Sequence, residues 1–284
     1  MNSLNHAVSR VFDLFLAPLD SIGRPFALVL ASAVFGVIAI VLFKHVSAQR
    51  RIKAAKNKIK GHLIEIRIYQ DDLAIVGKAI GKVLARNLQY LALNLAPFVP
   101  LSIPFVIVLA QLVVRYGYAP AEVHGPEQAI LPGRGSMVEV ELSPERAADI
   151  AGLRIELPEG VRALSPLVRV PSEGRAFQEV AAIAPGARAI RFVLPGGERA
   201  EKEFSAGFWS GPLQPERGTG FFSALLWPAE DSFSQDSPFR RIRVEYPEER
   251  LAWFPSGPAG VLIVFLIVSM AAGLLAMKPL KVQI

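Results

Sequence analysis

Four histidines, His6, His45, His62 and His124, are spread along the chain, and cysteine is absent. A zinc site or a catalytic triad needs such side chains gathered at defined spacings, and no two histidines stand at one. Gly207-Phe-Trp-Ser-Gly211 places its serine one residue too late for a nucleophile elbow, and no histidine follows it. Gly133-Arg-Gly135 reads as a turn, since neither a P-loop nor a dinucleotide fingerprint surrounds it. The residues therefore predict no enzyme, no metal and no cofactor. What remains is a set of amides and a set of cations. Asn87, Asn94 and Gln111 interrupt a long apolar run, and Arg50, Arg51, Lys53, Lys56 and Lys58 crowd a short segment before it.

Those amides matter because of where they lie. Roughly half of the 284 residues are apolar, and they collect in three runs of about 19, 27 and 19 residues. A helix rising 1.5 Å per residue needs about 20 residues to cross 30 Å of hydrocarbon. Three crossings are predicted: residues 25–43, 88–115 and 258–277. The first lies far from the N-terminus and lacks a basic lead-in, which predicts a retained span rather than a cleaved signal. No Asp, Glu, Lys or Arg stands in the middle of any span, which argues against a proton or ion pump.

The net charge of +6 hides an asymmetry. Residues 1–118 carry +9 and the remainder −3, and the excess belongs to the segment 44–87. By the positive-inside rule that segment faces the cytoplasm, with Lys278 and Lys281 of the tail 278–284 on the same side. The N-terminus and residues 116–257 are then outside, in an inner (cytoplasmic) membrane protein whose C-terminus is inside. Arg24, Arg115 and Arg250 sit at the outer ends against the trend. A basic loop beside a membrane is a topology signal or a contact for anionic lipid, and no nucleic-acid partner is expected.

Within residues 1–24, Leu4, Val8, Val11, Phe12, Phe15 and Leu19 recur at helical spacing, with Arg10, Asp13 and Asp20 opposite. This predicts an amphipathic helix, either lying on the outer leaflet or packed on the outer domain. Between residues 44 and 87, Ile52, Ile59, Ile66, Leu73 and Ile80 recur every seven positions, with Ala55, His62, Tyr69, Val76 and Val83 between them. The pattern predicts a coiled-coil seam. One long helix is possible, but Gln70-Asp71-Asp72 offers an N-cap for a restart, and two spans entering one membrane from one side favour a hairpin. His62 is expected to be a packing residue.

Span two carries Pro97, Pro100 and Pro104. Prolines free backbone carbonyls that must find partners, so this helix is expected to face other helices or a wet groove. Asn87 and Asn94, one heptad apart, would share that groove, with Gln111 further out. From residue 120 to about 246 the pattern turns to short alternating runs (136–142, 153–157, 167–170, 189–194, 241–246) between turn signals at Pro132-Gly133, Pro158-Glu-Gly160, Pro185-Gly186 and Pro195-Gly-Gly197. This predicts an antiparallel, immunoglobulin-like sandwich. Residues 207–236, with Phe208, Trp209, Phe221, Phe222 and Trp227, read as an aromatic loop or as core strands. The third span ends in small residues, Ser269, Ala271, Ala272, Gly273 and Ala276, which permit close helix contact.

The order of amphipathic helix, span, basic hairpin (residues 44–72), proline-marked second span (87–114), outer segment and third span resembles the YidC-type insertase superfamily. That superfamily includes three-span archaeal relatives and a core subunit of the ER membrane complex. The run Pro97-Phe-Val-Pro-Leu-Ser-Ile-Pro-Phe-Val-Ile-Val-Leu-Ala110 looks like that family's proline-marked helix, and Phe254-Pro-Ser-Gly257 echoes a run before a late helix. The resemblance implies a membrane-protein insertase or chaperone: Asn87, Asn94 and Gln111 line a polar groove, while Arg50, Arg51, Lys53, Lys56 and Lys58 receive a nascent membrane protein, the ribosome or lipid. The competing reading is a non-catalytic structural or sensory subunit, whose outer domain binds a partner in an assembly with other membrane subunits.

Overall fold

The structure is a computed structural model that describes residues 2–125, 130–131, 133–252, 254–280 and 282. Pro132 of one expected turn and Lys281 of the tail lie outside the described residues. The described residues form seven α-helices and nine β-strands, divided between two compact units. Three helical stretches are long and apolar enough to cross a membrane: Arg24–Val46, Leu73–Tyr116 and Gly257–Leu280. This is the pattern of a multi-pass membrane protein.

One unit comprises residues 29–105 and 265–284. It holds most of α2 (Arg24–Val46), then α3 (Gln49–Ile68), α4 (Leu73–Leu95), the first part of α5 (Phe98–Tyr116) and most of α7 (Gly257–Leu280). The chain reverses at residues 69–72 because Asp72 caps α4: its carboxylate accepts from the backbone N–H of Ala74 at 2.9 Å and of Ile75 at 3.1 Å. Helices α3 and α4 then pack side by side. Pro97 separates α4 from α5, while Pro104 is absorbed inside α5. The spans meet through two devices. Phe35, Phe105 and Phe265 cluster with ring centroids 5.0 to 6.1 Å apart. Gly36 meets Ser269 so closely that a Cβ there would lie 2.1 Å from the Ser269 carbonyl oxygen, and Gly273 packs beside Ile40 and Gly36 in the same way.

The other unit comprises residues 1–28 and 106–264. It contains α1 (Asn2–Asp20), the start of α2, the end of α5, the start of α7 and all the strands. Strands β1 (Ser136–Leu142), β3 (Val161–Ala163), β4 (Val168–Val170), β5 (Arg175–Ala182), β8 (Glu216–Gly218) and β9 (Phe239–Val244) form one sheet, and β2 (Arg154–Glu156), β6 (Gly186–Val193) and β7 (Arg199–Ala206) form another. Every named strand pair is antiparallel, with β1 central: Val138 pairs with Gln178 of β5 and Val244 of β9. Inward residues of both sheets, among them Val138, Val140, Val180, Ile190, Phe192, Phe204, Phe239 and Ile242, share one apolar core. Between β8 and β9 lies a short helix, α6 (Gly220–Leu226).

Candidate functional site

The cations read from the sequence all lie on the open surface of α3: Arg50, Arg51, Lys53, Lys56 and Lys58 are exposed. They stay wet because the opposite face of α3, Ile52, Ala55, Ile59, His62 and Ile66, turns inward at alternating steps of three and four. His62 lies within that row, its Nδ1 2.9 Å from Glu65, and Lys82 of α4 approaches the same carboxylate at 3.5 Å.

Only part of the seven-residue pattern carries across the turn: Val76 and Val83 turn inward as expected, while the row of Leu73 and Ile80 does not. On α4 the inward residues are Ile75, Val76, Ala79 and Val83. Leu73 and Ile80, expected in the seam, are exposed, Leu73 at 84%, and so is Tyr69. The reason is geometric: a repeat read straight through a helix reversal keeps its count but does not keep both of its rows in phase, since residues 69–72 are not helical throughout. The consequence is a second apolar face on α4. Leu73, Ile80, Leu84, Leu88, Leu91 and Leu95 fall on one stripe by helical spacing, and all are exposed. Lys78, Lys82 and Arg86 fall on the other side.

The three amides part company. Asn87 is exposed on α4. Asn94 is half-buried one heptad later; its Nδ2 donates to the Tyr90 carbonyl at 2.7 Å, and its Oδ1 is buried with no protein donor. Gln111 belongs to the other unit, where it is 1% exposed and donates from Nε2 to Ser9 Oγ of α1 at 2.9 Å. Its amide is thus committed to α1, not open to a groove.

Gln111 leads to a constellation that the sequence did not single out. Arg115, one turn on and 2% exposed, reaches Asp13 of α1 at 2.5 Å. Tyr116 donates its hydroxyl to Asp20 at 2.7 Å. Arg24, at the first turn of α2, bonds Glu249 at 2.7 Å and the Arg115 carbonyl at 2.6 Å, and its guanidinium lies 5.1 Å from the centre of the Trp209 ring. Two of the three arginines that ran against the charge trend are therefore neutralised by carboxylates. The signal was present as Asp13 and Asp20 on the polar side of α1, but sequence spacing cannot say which helix they meet.

No known protein family, curated protein or solved structure matches the chain.

The β unit holds its own buried ion pair. Lys202, inward on β7 where an apolar residue would ordinarily stand, is fully buried against Glu230 and donates to the Gln214 carbonyl at 2.5 Å. Gln214 in turn accepts from the backbone N–H of Ala229 and of Glu230, each at 2.8 Å. Burial pushes the Lys202 ammonium down and the Glu230 carboxyl up from their ordinary values. Through Gln214 before β8 and Glu230 after α6, the ammonium fastens the segments on either side of α6 onto β7. Tyr246 strengthens the same corner, accepting from Ser205 N–H at 3.0 Å, with burial raising its phenol. Among the described residues no group of three or more histidines and carboxylates is placed to hold a metal ion.

Proposed function

We propose that the chain is a membrane-protein insertase or chaperone that receives an apolar segment of a client and eases it into the bilayer. One observation carries this reading. The exposed stripe of α4 runs from Leu73, beside the basic hairpin, to Leu95, next to the Pro97 break. Over 22 residue steps that is about 33 Å of largely apolar surface, with Gly77 between Leu73 and Ile80 and Asn87 at its edge, opposed by Lys78, Lys82 and Arg86. A client segment sliding along it stays in apolar contact from the polar end of the helix to the membrane-length end, so its desolvation is spread over the path rather than met at once. Asn87, exposed beside Leu84 and Leu91, offers an amide to a polar client group along the way. The exposed lysines and arginines of α3 suit an acidic client flank, the ribosome or anionic lipid.

In this reading the hairpin is cytoplasmic and packs as a short coiled coil, while the β unit is an immunoglobulin-like domain outside the inner membrane. The charge asymmetry supports the sidedness, and the two antiparallel sheets around one core support the domain type. Reporter fusions at Lys56 and Ser172 should report opposite compartments; the same compartment for both would remove the whole scheme. Photo-crosslinkers at Leu84, Leu88 and Leu91 should capture nascent membrane proteins during translation. Failure to capture any, with Asn87→Leu and Asn94→Leu together leaving function intact, would leave the second reading, a structural or sensory subunit. The network of Arg24, Arg115, Asp13 and Glu249 favours that alternative, because it joins helix ends of the same unit to the segment following β9. A subunit of that kind should lose function when residues 120–250 are deleted.

A further inference from the structure

Helix α1 meets its own unit with a mixed face and leaves an apolar one bare. Its protein-facing side carries Asn2, Asn5, Ser9 and Asp20 together with Val8, Phe12, Leu16 and Leu19. Asn5 Nδ2 donates to the Ala224 carbonyl of α6 at 2.6 Å, His6 lies 2.9 Å from Asp231, and Asn2 meets Ser232. The opposite side carries Leu4, Val11, Leu14 and Phe15, continued by Ile22, and all five are exposed, Leu14 at 75%. Beside its first turns α6 adds Phe221, Phe222 and Leu226, also exposed, with Phe222 at 75%. Contiguous apolar surface of this kind needs an occupant.

We infer that this ledge rests in a phospholipid bilayer, with Phe221 and Phe222 of α6 acting as a second anchor that seats the β unit on the membrane surface. Chain continuity selects lipid. Only Ser21, Ile22 and Gly23 separate α1 from α2, a membrane-length helix, so the end of α1 lies within about 14 Å of the point where α2 begins. The same unit holds the β-side ends of all three spans and, with them, Arg24 against Trp209 and Tyr118 against Trp227. Tryptophan, tyrosine and arginine are the residues that settle at the headgroup level. One side of α1 is occupied by protein, so the exposed row of Leu4, Val11, Leu14 and Phe15 is what is left for lipid. With about 28 Å of helix between Asn2 and Asp20, a flat α1 brings α6 to the membrane, whereas an upright one holds α6 in water. This inference stands on the three membrane-length helices and not on insertase activity.

Because the chain contains no cysteine, single nitroxide labels can be placed at Leu14→Cys, Phe222→Cys and Ser172→Cys in the full chain, reconstituted in vesicles of mixed zwitterionic and anionic phospholipid. All three side chains are exposed, so the fold should tolerate the labels. Collision of the labels with oxygen, which concentrates in lipid, should exceed collision with a water-soluble nickel chelate severalfold at Leu14 and Phe222. Ser172, on the turn between β4 and β5, should show the reverse. Nickel access at position 222 equal to that at 172 would overturn the inference in favour of a helix held in water. Exclusion of both reagents at 222 would overturn it in favour of a protein partner.

Discussion

The two units solve the same problem, where to put apolar side chains, in opposite ways. The β unit closes its core: inward residues of both sheets meet each other, and even a lysine placed inside is given a carboxylate and a carbonyl. The helical unit meets itself along narrow seams, among them the aromatic cluster of Phe35, Phe105 and Phe265, the Gly36–Ser269 contact and the inner row of α3, and leaves long apolar stripes uncovered. A protein surface facing lipid gains nothing by hiding leucine, so close packing there depends on small residues and shape rather than on area removed from water. Buried polarity should therefore dominate the sensitivity of one unit, and backbone proximity that of the other.

The largest effect is expected at Lys202. Lys202→Met removes the partner of a buried carboxylate and should destabilise the β unit by about 3–5 kcal/mol in urea unfolding followed by circular dichroism. Adding Glu230→Leu should recover most of the loss, since an apolar pair of similar volume leaves no charge stranded. A loss that the second substitution fails to restore would mean that Lys202 acts mainly by capping the Gln214 carbonyl.

Lys202 also shows why much of the β unit was hard to read. Strand β7 alternates faithfully, with Ala200, Lys202 and Phe204 inward, but a lysine at an inward place erases the apolar rhythm by which a strand is recognised. Strand β5 escaped for a different reason: its buried residues include Ala176, Ala181 and Ala182, too small to mark a face. Strand β1, with Val138, Val140 and Leu142, was legible residue by residue. In the helices, Asp72 announced the hairpin turn, and Val76 and Val83 of the expected seam turn inward, whereas Leu73 and Ile80 do not, because a heptad read through a reversal does not keep both of its rows in phase. Of the proposed groove, Gln111 was assigned by depth alone. Its partner Ser9 lies 102 positions away in sequence, beyond any local pattern.

The helical unit should answer most strongly at Gly36. A side chain there would press on the Ser269 backbone, so Gly36→Leu should cost about 1–3 kcal/mol, read as earlier unfolding in mixed micelles of increasing denaturing detergent. The same substitution at Gly61, which has open space around it, should cost no more than the loss or gain in helix propensity. Equal effects at the two sites would mean that the α2–α7 contact is not what holds the spans.

A smaller effect is expected where α4 begins. Asp72→Ala leaves the Ala74 and Ile75 N–H groups without their cap and should cost about 1 kcal/mol, within a range of about 0.5–2. Asp72→Asn should keep most of it, since an asparagine oxygen accepts the same bonds. Faster amide exchange confined to the first turn of α4 is the measurement.

The smallest effect is electrostatic and belongs to the hairpin as well. The bond from His62, and after it the nearby Lys82, hold the Glu65 carboxyl below the ordinary carboxylate range. A carboxylate depressed in the folded state adds stability above its unfolded value of about 4.3, and that stability is lost as pH falls through the folded value. Protection of the α3–α4 hairpin against amide exchange, corrected for the intrinsic rate, should thus be flat with respect to Glu65 from neutral pH down to about 5 and decline below about 4. In Glu65→Gln that acid decline should shrink while the neutral value changes little, because the group is open to solvent and its pairs are screened. An acid limb of undiminished size in the variant would mean that the bridge between the two helices is not its source.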